Sequence, residues 1–252
     1  MTGVVTGLFR YPVKGLSPDP LERAEVQPDG ALPFDRAWAI ENGPSRFDPA
    51  DPRPVPDISF LILMRDERLA ALEAHFEEET ERLVLLRAGR QVASGQLSAS
   101  SGRQILEQFI AAFMGDRMRG RPKIVGGKEY FITEGGVRCV HIINLATLRD
   151  LERVMGRPID PIRFRPNIIV DGLEPWSELS WIDREVSAGH VRLNVVERTA
   201  RCAATNVDPK TGNRDMDIPA FLKREYGHED FGVYATIASE GTLAVGDALT
   251  PP

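Results

Sequence analysis

The sequence predicts a mostly β protein of the α+β kind, and three observations predict it. Short runs of alternating apolar and polar residues recur from Val4 to Leu249, the period-two signature of half-buried strands. Glycine and proline, 22 and 19 in number, break these runs at short intervals, which favours turns over long helices. Helical spacing is sustained only at Ser100–Met114 and in a segment opening at Asn144 or Thr147, with a short polar helix or turn at Phe221–Gly227.

Val4–Tyr11 is a first strand, and it stops at Pro12, which lacks a backbone donor. The tetrad Tyr11-Pro-Val-Lys14, with Gly15 behind it, places a lysine in a turn where ammonium and backbone can face an anion. Residues 21–28 and Ala37–Ile40 are further strands. Asp35-Arg36 reads as an exposed ion pair worth under about 1 kcal/mol. Phe47–Pro56 is a proline-broken loop that holds no helix. Residues 65–87 support two readings, because Arg65–Phe76 is rich in helix formers yet also alternates, and Glu81–Arg87 and Gln91–Gln96 look like strands around Ala88-Gly89.

Ser100 or Ser101 can cap the first helix, whose core stripe is Ile105, Phe109, Ile110 and Phe113. Loops at Gly126 and Gly135 flank a short strand, and Val140–Ile143 is an apolar one. His141 within it reads as a histidine that finds a hydrogen bond. The second helix turns Leu148, Leu151 and Val154 to one face. Arg163-Phe-Arg-Pro-Asn-Ile-Ile-Val170 puts forked guanidinium donors and a carboxamide at the mouth of an apolar strand, a set suited to a planar, hydrogen-bond-rich anion. A turn with an aromatic wall follows at Glu174–Glu178. His190–Val196 alternates as a strand, Cys202 sits at its end, and Asp208–Gly212 is a turn. Strands at Phe231–Ile237 and Thr242–Leu249 finish the chain.

Arg198, Arg201, Lys210 and Arg214 surround Cys202 in sequence. Such cations favour a thiolate, which is a nucleophile or a metal ligand, whereas a free cysteine without them is usually a small buried hydrophobe. The net charge of −6 argues against general attraction to nucleic acid or an anionic membrane. With only Cys139 and Cys202 there is no disulfide framework, no four-cysteine zinc site and no cysteine-ligated iron-sulfur cluster. The N-terminus lacks the features of a signal peptide and no window reaches membrane-spanning length; the expected location is cytoplasmic.

Tyr-Pro-Val-Lys near the start, Asp-Arg before a tryptophan, Phe-Arg-Pro-Asn-Ile, a tryptophan turn, Arg-Cys followed by Val-Asp-Pro-Lys-Thr-Gly, and the late Gly-Thr-Leu-Ala-Val-Gly-Asp together resemble the MOSC family. The likeness is to its two-part branch, which contains the mitochondrial amidoxime reducing component and bacterial reductases of N-hydroxylated bases. It implies a MOSC β-barrel with a few helices at residues 96–252, packed against an N-terminal β domain at residues 1–95, and so favours strands at 65–87. It also implies molybdenum cofactor, with Cys202 as metal ligand and catalytic residue. Lys14, Arg36, Arg165, Asn167, Arg201, Thr205 and Asp208 match positions that hold the pterin and its phosphate. Gly15 and Ala200 depart from the polar residues of relatives. The activity implied is reduction of a small N-hydroxylated or N-oxide substrate with electrons from a separate donor protein. The alternative is a carrier of molybdenum cofactor, or of sulfur as a persulfide on Cys202. The absence of a sulfurase-type lysine domain argues against pyridoxal phosphate.

Overall fold

The computed structural model describes residues 1–43, 47–48, 55–133 and 137–252. In chain order the strands are β1 (Gly3–Arg10), β2 (Asp19–Leu21), β3 (Arg23–Val26), β4 (Trp38–Asn42), β5 (Glu73–Glu77), β6 (Arg82–Arg87), β7 (Arg90–Gln96) and β8 (Pro122–Gly126). Then come β9 (Val140–Asn144), β10 (Ile168–Asp171), β11 (Glu185–Ala188), β12 (Val191–Ala200), β13 (Asp230–Ile237), β14 (Gly241–Ala244) and β15 (Ala248–Thr250). Three α-helices interrupt them: α1 (Ser100–Met114), α2 (Leu145–Met155) and α3 (Ile218–Tyr226).

Seven strands close into a barrel in the order β1-β10-β9-β13-β12-β11-β15, and β15 returns to β1. Closure removes the exposed strand edges that invite aggregation. The β9–β10 pair is parallel and is joined through α2, the crossover that parallel strands need. The other pairs in the ring are antiparallel. Alternation in β1 turns Val5 inward and Val4 outward, and Val5 and Leu8 pack with Val140, Ile142, Val170 and Leu193 in the barrel core. Fully burying each such side chain contributes roughly 1.5–3 kcal/mol. The first strand of the chain is thus part of the barrel otherwise built from residues 140–250.

A second core gathers Trp38, Phe76, Leu83, Leu106 and Ile110 under the β5-β6-β7 meander and α1. The contest over residues 65–87 resolves in two parts. Glu67–Ala71 is a 3-10 turn, while β5 and β6 are strands because alternation buries Ala74, Phe76, Leu83 and Leu85. Tertiary burial outweighs helix propensity there.

Helix ends differ in detail from expectation. Ser100 is the first residue of α1 rather than its cap; Ala99 takes that place without a side-chain bond, and Ile105 is exposed while Leu106 points inward. Asn144 does cap α2, its Oδ1 accepting from the amide of Ala146 at 3.0 Å. α3 begins at Ile218, with Asp217 as cap and Pro219 in its first turn. No strand forms in residues 127–133. The proline-broken loop at 47–56 and the loop at Gly135 lie largely outside the described residues. No helix among the described residues is long and apolar enough to cross a membrane.

Candidate functional site

Asn167 is the hub of the site. It is fully buried, its Nδ2 donates to the carbonyl of Phe9 in β1 at 3.0 Å, and its Oδ1 accepts from the amide of His141 in β9 at 3.0 Å. The same Oδ1 accepts from the Arg36 guanidinium at 3.3 Å. One carboxamide therefore joins two barrel strands and aims a cation.

Arg36 and Arg165 both carry positive φ, +52° and +53°, a region uncommon for residues other than glycine and enriched at functional sites. Arg36 sits in the turn before β4, its amide bonded to the carbonyl of Tyr11. Arg165 ends the 3-10 turn Pro161–Phe164, just before Pro166 and β10. Both guanidinia pack on the ring of Tyr11, at 4.1 Å for Arg165 and 5.2 Å for Arg36. Tyr11 is fully buried and its hydroxyl donates to the carbonyl of Pro166 at 3.2 Å; burial pushes its pKa well up despite the arginines, so it stays a neutral platform.

Asp35-Arg36 is not an exposed pair. Asp35 is 2% exposed and accepts from Arg36 and from the amide of Tyr11 at 2.7 Å. Burial alone would lower the pKa of Arg36, but the Asp35 carboxylate reverses this and raises it. Lys14 is paired in the same way, with Asp57, and its ammonium also donates to the carbonyl of Ile132 at 3.3 Å. Burial still lowers its pKa, with Arg36 and Arg165 pushing the same way.

Arg165 and Arg201 differ. Arg165 donates to the carbonyl of Leu16 at 2.8 Å, and Arg201 donates to the carbonyl of Phe164 at 2.8 Å and lies 3.3 Å from His141 Nε2. Among the described residues neither has a carboxylate at ion-pair distance, and Arg201 Nε has no hydrogen-bond partner. Burial lowers the pKa of both, Arg165 to about 10. Four cations thus share one partly buried place with two carboxylates among them. A buried excess of charge is costly unless an anion completes it.

His141 carries a role that its place in an apolar strand did not reveal. Its Nδ1 lies 3.5 Å from the carbonyl of Arg165, and its Nε2 lies 3.3 Å from the Arg201 guanidinium and 3.4 Å from the carbonyl of Phe231. With the proton on Nδ1, which then donates to the Arg165 carbonyl, Nε2 accepts from Arg201; with the proton on Nε2 it donates instead to the Phe231 carbonyl. Burial, reinforced by Arg201, holds its pKa well below 6.5. The signal in the sequence was the polar residue inside an apolar run; its partner lay sixty positions away.

Cys202 is exposed, two residues beyond the end of β12, and caps the 3-10 turn Ala203–Asn206. Its carbonyl accepts from the amide and hydroxyl of buried Thr205, at 3.1 and 2.9 Å. Asp208 stiffens the next turn: its carboxylate accepts from the amides of Lys210 and Thr211 and from Arg163. Of the four cations named around Cys202, Arg201 turns inward, Arg214 binds the carbonyl of Ala203 at 3.0 Å, Arg198 binds that of Leu179, and Lys210 faces Asp160. Thr205 and Asp208 hold the shape of the loop, while Lys14, Arg36, Arg165, Arg201 and Asn167 form the cationic cluster. A pocket of about 390 Å³, including its open mouth, lies alongside between Gly15–Pro18, Leu63 and Ala70 on one side and Arg165, Ala204 and Val207 on the other. Gly15 has φ +87°, and a Cβ there would meet the Leu61 carbonyl at 2.7 Å, which accounts for glycine in that position. Cys139 is partly buried, and burial pushes its thiol up to about 11. Among the described residues no group of three or more His, Cys, Asp or Glu side chains could hold a metal ion.

Residues 124–250 match the family model for the MOSC domain, and residues 2–117 match that for the MOSC N-terminal beta barrel domain. Molybdenum cofactor sulfurase of Bos taurus is 24% identical over an alignment of 289 positions that covers 98% of this chain and 32% of the relative. Mitochondrial amidoxime-reducing component 1 of Mus musculus is 34% identical over 120 residues, covering 43% of this chain and 35% of the relative. The chain thus spans about a third of the length of these curated relatives. Among solved structures, the YUAD protein of Bacillus subtilis aligns over 99% of this chain and 94% of its own at 12% identity and a TM-score of 0.46.

Proposed function

The chain belongs to the MOSC family, and on that footing we propose that it is a molybdenum-cofactor oxidoreductase that reduces small N-hydroxylated or N-oxide compounds with electrons from a separate donor protein. The observation that carries this reading is the pair of guanidinia, Arg165 and Arg201, held near the exposed Cys202 with no carboxylate at ion-pair distance among the described residues. Relatives named amidoxime-reducing components support the reaction class.

The residues present fit the cofactor. An anionic pterin phosphate would supply the charge that the cluster lacks, and the unpartnered Arg201 Nε is a donor still free to bind it. Cys202 would give the metal one soft thiolate in addition to the two dithiolene sulfurs of the pterin. When bound, the cofactor supplies two-electron redox chemistry at its metal. Lys14, Arg36, Arg165 and Arg201 bind and orient it electrostatically, Asn167 fixes Arg36, and neutral His141 keeps Arg201 turned inward. Tyr11 offers the arginines an apolar, uncharged surface. The overall reaction breaks one N–O bond, consumes two electrons and two protons, and releases the reduced nitrogen compound and water.

A second reading is a carrier of cofactor, or of sulfur as a persulfide on Cys202. Exposure of Cys202 and an alignment to molybdenum cofactor sulfurase over nearly the whole chain favour it. Amine formed per molybdenum from a hydroxylamine or amidoxime, with an artificial electron donor, separates the two. Many turnovers support the reductase; a full cofactor load with none across hydroxylamines, amidoximes and N-oxides supports the carrier.

A further inference from the structure

The run Arg117-Met-Arg-Gly-Arg-Pro-Lys123 carries four cations and no acid in a chain of net charge −6. Arg117, Arg119, Arg121 and Lys123 are all exposed. Arg117 and Arg119 lie against the segment 58–67 that approaches Cys202, and Arg121 and Lys123 follow them into β8. The Arg119 guanidinium donates to the carbonyl of Ile58, and Arg117 pairs with Glu67. Glu67 also pairs with Arg214, whose guanidinium donates both to the carbonyl of Met64 at 2.7 Å and to that of Ala203 at 3.0 Å. A single guanidinium therefore bridges Met64 and the residue next to Cys202. Ile58 and Met64, 55% and 39% exposed, stand as large apolar side chains in this cationic surround. Glu67 is engaged by two arginines and Asp57 by Lys14, and Asp116 is exposed directly before the run.

We propose that the face formed by Ile58, Met64 and the cations of residues 117–123 docks a small acidic electron-carrier protein. The inference rests on the reductase reading and names the partner of that same site. An apolar centre rimmed by charge is the anatomy of a transient protein interface, and charge of one sign steers a partner of the other. Docking here brings the carrier to the face that leads, through Arg214, to the Cys202 loop. Each N–O bond reduced oxidises two one-electron carriers, or one two-electron carrier, and the two protons come from solvent.

The test measures binding of an acidic plant-type ferredoxin and of an acidic flavodoxin to the holoprotein, alongside substrate reduction driven by reduced methyl viologen. In Arg119→Glu/Arg121→Glu/Lys123→Glu the affinity for an acidic carrier falls about tenfold or more, as it does for the unaltered protein when salt is raised, while viologen-driven turnover is unchanged. The milder Arg121→Gln/Lys123→Gln moves affinity in the same direction if the triple variant folds poorly. Reversal of Arg184 and Arg192, exposed on the β11–β12 hairpin, leaves affinity unchanged. The proposal is overturned if neither carrier binds the unaltered protein, if the triple variant binds equally well, or if the hairpin variant loses as much. Absence of viologen-driven turnover sinks the reductase reading instead, and the binding result still judges the surface.

Discussion

Arg165→Met probes the idea that the protein holds cations against their own electrostatics in order to bind an anion. Burial takes the Arg165 pKa from 12.5 to about 10, so its charged form is destabilised in the fold by about 3 kcal/mol at about 1.4 kcal/mol per tenfold. Methionine of similar length removes that cost. It also removes the hydrogen bond to the carbonyl of Leu16 and the contact with the Tyr11 ring, worth together about 2 kcal/mol. The cofactor-free variant should therefore be as stable as the parent or more stable by about 1 kcal/mol, a melting shift of roughly 0 to +4 °C for a chain of this size. Sulfate or phosphate should raise the melting temperature of the parent, by an amount equal to about 2.7 kcal/mol at a hundred times its dissociation constant, and should leave the variant nearly unmoved. Urea unfolding with and without anion reads both numbers. A cofactor-free variant weaker by more than about 2 kcal/mol that keeps the anion effect would refute the reasoning and make Arg165 a structural residue.

Asn167→Ala strands the buried amide of His141 and the carbonyl of Phe9 and should cost about 2–5 kcal/mol in urea unfolding; a loss under about 0.5 kcal/mol would show that the hub is dispensable. His141 is held neutral, so the unfolded chain gains a proton there below about pH 6.5 and the folded chain does not. Its contribution is present above that pH and declines below it at up to about 1.4 kcal/mol per pH unit, and His141→Gln should flatten the stability profile between about pH 6.5 and 5. Equal slopes in the two proteins would contradict the assignment. Burial raises the pKa of Glu178 above 4.5, offset in part by Thr147 and Asn144, and leaves its Oε1 without a partner. A raised carboxyl pKa contributes stability below about pH 4.5 that is lost as pH rises through the folded value, so Glu178→Gln should match or exceed the parent by about 1 kcal/mol at neutral pH and lose that advantage in acid; a large loss at neutral pH would mean that the charge is needed.

The strands were legible in the sequence where one face is buried, as in β1, β6 and β12, because period-two alternation records burial directly. Residues 67–71 were not, since helix-forming composition there ends in a short 3-10 turn under the second core. The cap of α1 was misplaced because two serines sit inside the helix start and Ala99 carries no polar signal. Lys14, Arg165 and Arg201 stood out as cations in turns or at strand ends, whereas Arg36 and Asp35 read as a surface pair, and Asp35 turns out to be buried. Its burial depends on Tyr11, twenty-four residues earlier. The roles of Asn167 and His141 as linked supports for arginines also needed the barrel closed, because their partners come from β1, β9 and the turn before β10. The run at 117–123 gains meaning only from Glu67 and Arg214, which tie it to the Cys202 loop.

The central claim is that this cluster and Cys202 hold molybdenum cofactor, and the most direct test is metal and pterin content with X-ray absorption at the molybdenum edge on protein made in a cofactor-producing host. The account predicts about one molybdenum and one pterin per chain, a loss of one sulfur from the metal in Cys202→Ser, and no change in Cys139→Ser. A protein free of molybdenum and pterin under those conditions, or an identical sulfur count in Cys202→Ser, would contradict it.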